Sequence, residues 1–370
     1  MNGFRLTPSR GLEKRRKSWL TAIPSVQTHI APISGRDVMT TLTESKRQSQ
    51  PTSPTPSIPA SFLVTSYNKA AYLPSVLDSV WREAQDVGGE FILVDDGSTD
   101  GSEHICAAFA ATHAEVVYWR QENRGIYQTI NSMAPKARGR WVRFCDSDDP
   151  LISGSTRRLI DVATATGAGL AYGQAIAYGP DPLALDRLSL RISPPSAANT
   201  HADGLMYLIR GMNFTPSMAV CRADALLKSL PLPVDLVSCQ DLALWFPIVS
   251  RLPLAWIDEP VCFNLQGASN QLSANNALTL QQTIRITQRN AGLLSVRHKR
   301  AALLKAANRT RRWLRNMRPE QNSFGAQMWL LAVNARARFG LIDFNATLGK
   351  IANYYEHELE PILKRQARPF

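Results

Sequence analysis

The sequence predicts an α/β protein: a mostly parallel sheet flanked by helices, followed by a helical C-terminal region and preceded by a disordered tail. Three observations predict it. Short apolar runs at 61–65, 91–94, 115–119 and 141–145 suit buried strands. Helical segments separate these runs, so the order is β-α-β-α-β-α-β, which favours parallel pairing with helices on both faces. From about Leu278 onward the pattern is helical to the end.

Residues 1–59 carry early basic residues, then Pro51, Pro54, Pro56 and Pro59 among Ser and Thr. Such composition resists a packed core. Initiation at Met39, inside this tail, would account for a basic leader without evident purpose. After the first strand comes a polar loop, Ser66 to Lys69. Tyr72, Val76, Leu77, Val80 and Trp81 then recur at helical spacing. The second strand runs into Asp95-Asp96-Gly97-Ser98-Thr99-Asp100-Gly101, where Ser98 or Asp100 can cap the next helix. Asn123-Arg124-Gly125 turns into a helix through about Lys136. The fourth strand ends in Asp146-Ser147-Asp148-Asp149-Pro150, and Pro150 cannot continue a ladder.

Beyond Pro150 we expect a helix over 154–166, strand pieces at 170–172 and 175–178, and a Pro- and Ser-rich loop over 179–202. Further strands are expected at 217–221, 255–257 and 261–263. A helix opens at Gln240-Asp241, with Leu242, Trp245, Phe246 and Val249 on one face. The divisions are therefore a tail (1–59), an α/β domain (60–275) and a helical region (276–370).

The chain has 370 residues, 44% of them hydrophobic, and no apolar run long enough to span a bilayer. Five scattered cysteines without a CxxC pair read as buried, reduced thiols of a cytoplasmic protein. The net charge of +12 asks for an anionic partner. Residues 285–318 hold many Arg and Lys and no Asp or Glu, with apolar residues and Trp313 among them. Such a helix can make a peripheral contact with the inner face of a membrane, or it can pack its apolar side on the domain.

In open parallel sheets, ligands bind beyond the carboxyl ends of the strands. Tyr67, Asp95 with Asp96, and Asp146 to Asp149 all fall on that edge. Three carboxylates within four residues repel one another unless a cation joins them. A divalent metal completed by a nucleotide's phosphates is one solution, and an Asp-rich surface turn is the plainer one.

Four stretches resemble the family 2 glycosyltransferases of the GT-A fold. They are VTSYNKAAYL at 64–73, ILVDDGSTDGS at 92–102, ENRGIYQTINSMAPKARGRWVRFCDSDDPL at 122–151 and QDLALW at 240–245. The likeness spans about 61–273. It implies an inverting transferase that uses a nucleotide-sugar donor, a UDP-sugar being favoured, and Mn²⁺ or Mg²⁺. Thr65 and Tyr67 would hold the base, and Asp96 would accept a hydrogen bond from it. Arg124 would reach the diphosphate. Asp146, Asp148 and Asp149 resemble the DxD motif, with Asp146 on the nucleotide side and Asp148 and Asp149 on the metal. Asp241 resembles the general base. The chain departs from the family pattern at Gln240, where an acid is usual, and at Gln266, where a basic residue or His is usual.

Each residue also has a plainer reading. Tyr67 could be strand-end packing, Arg124 a carboxylate's partner, and Asp241 a favourable charge at a helix start. Asp95 and Asp100 are read as turn and cap residues. Acceptors by analogy are surface polysaccharide, lipopolysaccharide or a glycolipid, including lipid-linked ones. A sugar nucleotidyltransferase would want a Gly-rich phosphate loop after the first strand, where Thr65-Ser66-Tyr67-Asn68 stands instead. A basic nucleic-acid-binding protein would not carry acidic strand ends, so no nucleic-acid partner is expected.

Overall fold

The computed structural model describes residues 58–179, 200–267, 276–315 and 324–355. The expected tail up to 57, most of the loop over 179–202, and Arg318 lie outside them.

The sheet has seven strands in the order β3-β2-β1-β4-β6-β5-β7. They are β1 (Ala60–Ser66), β2 (Glu90–Asp95), β3 (Val116–Arg120), β4 (Trp141–Asp146), β5 (Leu170–Tyr178), β6 (Ala219–Arg222) and β7 (Leu254–Leu265). The first four are parallel, as expected. β6 enters antiparallel between β4 and β5, and β7 runs parallel to β5. In β1 and β2 nearly every residue is buried, because helices cover both faces. β3 lies on the edge and is half-exposed.

Strand order reverses at β1, which pairs with β2 on one side and β4 on the other. Register sets the site: Ser66 lies beside Asp95, and Thr65 lies beside Asp146. The ladder continues back past β1, since the carbonyls of Ile58 and Pro59 accept the amides of Arg140 and Trp141. The proposed tail should therefore be cut after residue 57. A chain beginning at Ile58 is expected to melt and to turn over donor like the full chain. A markedly lower melting temperature in differential scanning fluorimetry would show that the removed segment packs on the domain.

Three crossover helices flank the parallel half: α1 (Leu73–Val87), α2 (Ser102–Thr112) and α3 (Ile126–Met133). α1 starts with Pro74 in its first turn and stops at Gly88, whose φ of 67° suits a left-handed C-cap. α4 (Ser155–Thr166) follows β4.

Two pairs of expected strand pieces are each one strand. β5 carries a register shift around Gly173, and β7 runs straight through Pro260. A Cβ at Gly173 would meet Val261 Cγ1 at 2.4 Å, so the two strands approach there without side-chain room. The expected strand at 217–221 is a 3₁₀ turn, Pro216–Met218, followed by β6.

Arg143 lies in the run read as apolar, yet it is fully buried in β4. Its guanidinium donates to Ser155 Oγ, Thr156 Oγ1 and the carbonyls of Ser217 and Val261. Glu83 of α1 stands 3.6 Å away and accepts from the Gly154 and Thr156 amides at the start of α4. One buried ion pair thus caps a helix and holds α1, β4 and α4 around the Asp146–Pro150 turn. Arg143→Met strands the Glu83 carboxylate inside. Removing one partner of a buried pair typically costs about 3–5 kcal/mol, and urea unfolding should read a loss of that order. A loss below about 1 kcal/mol would show that water already reaches the pair.

The second half adds α5 (Gly204–Gly211), α6 (Ala223–Leu227), α7 (Gln240–Val249), α8 (Asn276–Arg289), α9 (Val296–Arg315), α10 (Phe324–Arg338) and α11 (Phe344–Tyr354). Asp203 caps α5 by accepting from the Met206 amide at 2.9 Å, and His298 of α9 pairs with the same carboxylate at 3.0 Å. Leu278, Ile284, Leu303, Leu314 and Leu348 join the same apolar cluster as the sheet residues.

The apolar side of α9 is therefore already covered: Leu303, Ala307 and Leu314 are buried, and Trp313 packs on Tyr355 at 4.9 Å between ring centroids. The expected membrane contact through this helix needs a free apolar side, which the fold uses for packing. Arg297, Arg300, Arg312 and Arg315 remain exposed. Among the described residues no helix is long and apolar enough to cross a membrane. All five cysteines are unpaired, and all but the half-buried Cys239 are buried.

Candidate active site

The loop after β1 is stitched to the loop after β2. Asn68 takes a left-handed φ of 52°, and its Oδ1 accepts the Thr99 amide at 2.8 Å. The amides of Asn68, Lys69 and Ala70 donate to Ser98 Oγ, Ser102 Oγ and Asp100 Oδ2, each at 3.0 Å. Asp100 also accepts from the Ser102 amide. Its role is to shape the turn and tether the loop. Asp95 is wholly buried, accepts from the Ser98 amide and pairs with Arg120 at 3.3 Å. Both readings as turn residues agree with the geometry.

Thr65 and Tyr67 stand at the end of β1, each half-buried. Among the described residues, Tyr67 is not one of the side chains packed on the apolar cluster. Asp96 begins the next loop, buried, and its carboxylate accepts from Gln121 Nε2 at 2.7 Å and from the Arg124 and Gly125 amides at 3.0 and 2.9 Å. It therefore shapes the Arg124 turn. An ionised carboxylate offers about four lone-pair sites, and these bonds take three of them. Gly97 must be glycine on two grounds: its φ is 74°, and a Cβ would lie 2.6 Å from the Asn123 amide nitrogen. The guanidinium of Arg124 is exposed and has no ion pair among the described residues.

The acidic turn after β4 is more differentiated than its spacing suggests. Burial raises the pKa of Asp146 well above the carboxylate range, reinforced by the charges of Asp149, Asp148 and Asp241. Asp148 pairs with Lys69 of the β1 loop at 2.7 Å. Asp149 is buried, and its oxygens accept from Asn264 Nδ2 and the Leu265 amide, each at 3.2 Å. Burial and the Asp148 charge push its pKa up to about 7. Asp149 thus fastens the end of β7 beneath the turn. Gln266 reaches the same group at second hand, through Asn264.

Among the described residues, no three His, Cys, Asp or Glu side chains converge to cage a metal. The donor set still suits a hard cation, because one or two carboxylates completed by phosphates make a common Mg²⁺ site. Asp146 and Asp148 are the residues that would hold it; Asp149, expected on the metal from the sequence, is engaged with Asn264 and Leu265 beneath the turn. Lys69 supplies the positive charge beside Asp148 in this structure. Sequence reading passed over Lys69 and Asn264. Lys69 was visible only as a cation in a polar loop at the same sheet edge.

Asp241 opens α7. Its carboxylate accepts the Leu242 amide at 2.7 Å, and burial pushes its pKa up to about 6. The residue before α7, Cys239, has φ 60°, a left-handed conformation uncommon outside glycine and often found at functional sites. Thr65, Asp146 and Gln240 line one small cleft between β1, β4, α3 and α7. Asp241 also acts electrostatically on Asp146. The fold therefore brings the β1 loop, the acidic turn and the start of α7 to one place.

Residues 61–229 match the family model described as Glycosyl transferase family 2. This part of the chain belongs to that family. A PGL/p-HBAD biosynthesis glycosyltransferase of Mycobacterium bovis is 36% identical over 122 residues, which is 31% of this chain and 46% of that protein. The succinoglycan biosynthesis protein ExoO of Rhizobium meliloti is 32% identical over 131 residues, 35% of this chain and 36% of that protein. The chain thus spans less than half the length of either relative. The crystal structure of S. aureus TarS 1–349 in complex with UDP-GlcNAc superposes with a TM-score of 0.58. The match covers 84% of this chain and 93% of TarS 1–349 at 16% identity, which is likeness of fold. The family 2 match holds Thr65, Tyr67, Asp96, Arg124 and the acidic turn, and it ends before Asp241.

Proposed function

We propose that this protein is a metal-dependent, inverting glycosyltransferase that moves a sugar from a nucleotide-sugar donor, a UDP-sugar by preference, to an acceptor hydroxyl. The observation that carries the reading is one cleft edge shared by Thr65, Asp146 and Gln240, with Asp241 next in line and Asp148 within reach of the β1 loop. Family membership and the relatives' part in PGL/p-HBAD and succinoglycan biosynthesis support it, and they favour a glycolipid or surface-polysaccharide acceptor.

Tyr67 offers an aromatic face to the base, with Thr65 beside it and Asp96 accepting a hydrogen bond. Arg124, exposed and without an ion pair among the described residues, would reach the diphosphate. Asp146 and Asp148 would hold Mn²⁺ or Mg²⁺, which when bound neutralises the charge that gathers on the leaving diphosphate. Asp241 takes the proton of the acceptor hydroxyl as the new bond forms. A base on the face opposite the leaving group gives inversion at the anomeric carbon. Its pKa of about 6 suits this task, high enough to accept a proton and low enough to be ionised at neutral pH.

A thermal-shift screen of UDP-, GDP-, CMP- and dTDP-sugars, with and without Mn²⁺, tests the reading. One donor class should raise the melting temperature, and more so with the metal. No shift with any of them, at concentrations that saturate ordinary transferases, would remove its basis.

A further inference from the structure

Lys69 already neutralises the two carboxylates that would hold a divalent cation. Its Nζ lies 2.7 Å from Asp148 Oδ2, and both side chains are largely buried. Its charge also acts on Asp146, where it opposes the effect of the neighbouring carboxylates. Asp146 and Asp148 thus share one ammonium, while Asp149 is engaged with Asn264 and the Leu265 amide.

The backbone on both sides of this pair is tied down. The Lys69 amide donates to Ser102 Oγ at 3.0 Å, and its carbonyl accepts the Tyr72 and Leu73 amides, each at 3.0 Å, where α1 begins. On the other side the Asp148 carbonyl accepts from the Tyr178 hydroxyl, and the Asp149 amide donates to the Asp146 carbonyl at 3.1 Å. Neither loop has to move for the pair to open. The flexible four-carbon stem of a lysine lets the ammonium leave by side-chain rotation alone.

We propose that Lys69 is a positioning residue that exchanges partners: it holds Asp148 until the donor arrives, then yields the carboxylate to the divalent cation and turns to the diphosphate. An ammonium and a divalent cation on one carboxylate repel each other, so they compete for it. A cation arriving alone displaces Lys69 with nothing to receive it. A cation arriving with a nucleotide releases Lys69 to charge-assisted bonds with phosphate oxygens. Cation and nucleotide therefore bind cooperatively, each raising the affinity for the other. The exchange rests on the reading of this edge as a metal-assisted nucleotide site.

The test reads Mn²⁺ binding from the paramagnetic resonance signal of the free ion, on the full chain without nucleotide. Lys69→Met should bind Mn²⁺ about tenfold or more tightly than wild type, as loss of a competing charge predicts. Lys69→Gln, which keeps a donor but no charge, should gain in the same direction even if the methionine variant does not fold. Lys69→Arg should bind as weakly as wild type. The gain should disappear when Asp148→Ala is added to Lys69→Met. It should also disappear with saturating UDP, or GDP should UDP be the wrong base, because the ammonium has then left Asp148 in wild type. Equal Mn²⁺ affinity of wild type and both uncharged variants without nucleotide, or binding by none of them, would overturn the proposal. So would a gain that survives Asp148→Ala, or one of the same size with and without nucleotide. Wild type that binds UDP with Mn²⁺ while Lys69→Met gains nothing fails this proposal alone. Folded variants that gain Mn²⁺ affinity through Asp148, in a chain that binds neither nucleotide, fail the donor reading and leave the competition for Asp148 standing.

Discussion

Asp241→Asn is expected to bind donor as wild type does and to lose turnover by about 10²-fold or more, the usual worth of a positioned general base. An amide keeps the shape and the Leu242 contact but cannot take a proton from the acceptor hydroxyl. The pH profile adds a second readout. Burial raises the pKa of Asp241 to about 6, so the protonated, inactive form dominates below that value. In wild type kcat/KM should therefore climb about tenfold per pH unit below pH 6 and level off above it. In Asp241→Asn that limb should vanish when Mn²⁺ is saturating, so that the carboxylates of the acidic turn stay ionised in both proteins. If kcat barely moves, Asp241 is only a favourable charge at a helix start, and the base lies elsewhere.

The second large effect belongs to the acidic turn. Asp148→Ala should cut transfer by about 10²-fold or more, the scale on which loss of one electrostatic stabiliser of a leaving group is felt. Chelation with EDTA should abolish activity in wild type, and Mn²⁺ or Mg²⁺ should restore it. The variant also frees Lys69 from its 2.7 Å partner, so its melting temperature must be compared with wild type. The pair is largely buried, its side chains 18% and 14% exposed, so some fall in melting temperature is expected, while the rest of the fold should survive its loss. Asp149→Ala removes the anchor of Asn264 and Leu265 and should lower the melting temperature as well as activity. Full activity in a chelated sample would refute the metal assignment.

Much of the site-bearing half was legible in the sequence. β1, β2 and β4 are buried on both faces and so read as apolar runs; β1 ends in a polar loop, and β2 and β4 end where their carboxylates begin. The alternation with helices sufficed for parallel pairing, and parallel pairing puts those ends on one edge. What spacing could not supply was partnership. Glu83 and Arg143 lie sixty residues apart, and nothing local announces a buried ion pair inside an apolar run. The pairing of Lys69 with Asp148 and of Asn264 with Asp149 likewise depends on which strands become neighbours. β5 and β7 were read as broken at Gly173 and Pro260, because those residues are local breakers that a bulge and a strand edge absorb. α5 was missed, being short, with only Asp203 to mark its start. For the basic helix α9 the sequence left membrane contact and packing on the domain both open, and its buried apolar side matches the packing alternative.

The central claim is that the edge formed by Thr65, Asp146 and Asp148 is a nucleotide-sugar site that works with a divalent cation. Titration of UDP into the full chain by calorimetry tests it most directly, run with Mn²⁺, with EDTA, and with Asp148→Ala in Mn²⁺. The account predicts saturable binding of one nucleoside diphosphate per chain in Mn²⁺, weakened by about tenfold or more in EDTA and in the variant, with GDP substituted should UDP be the wrong base. Binding of equal strength in all three samples, or none by either nucleotide in folded wild-type protein, would contradict it.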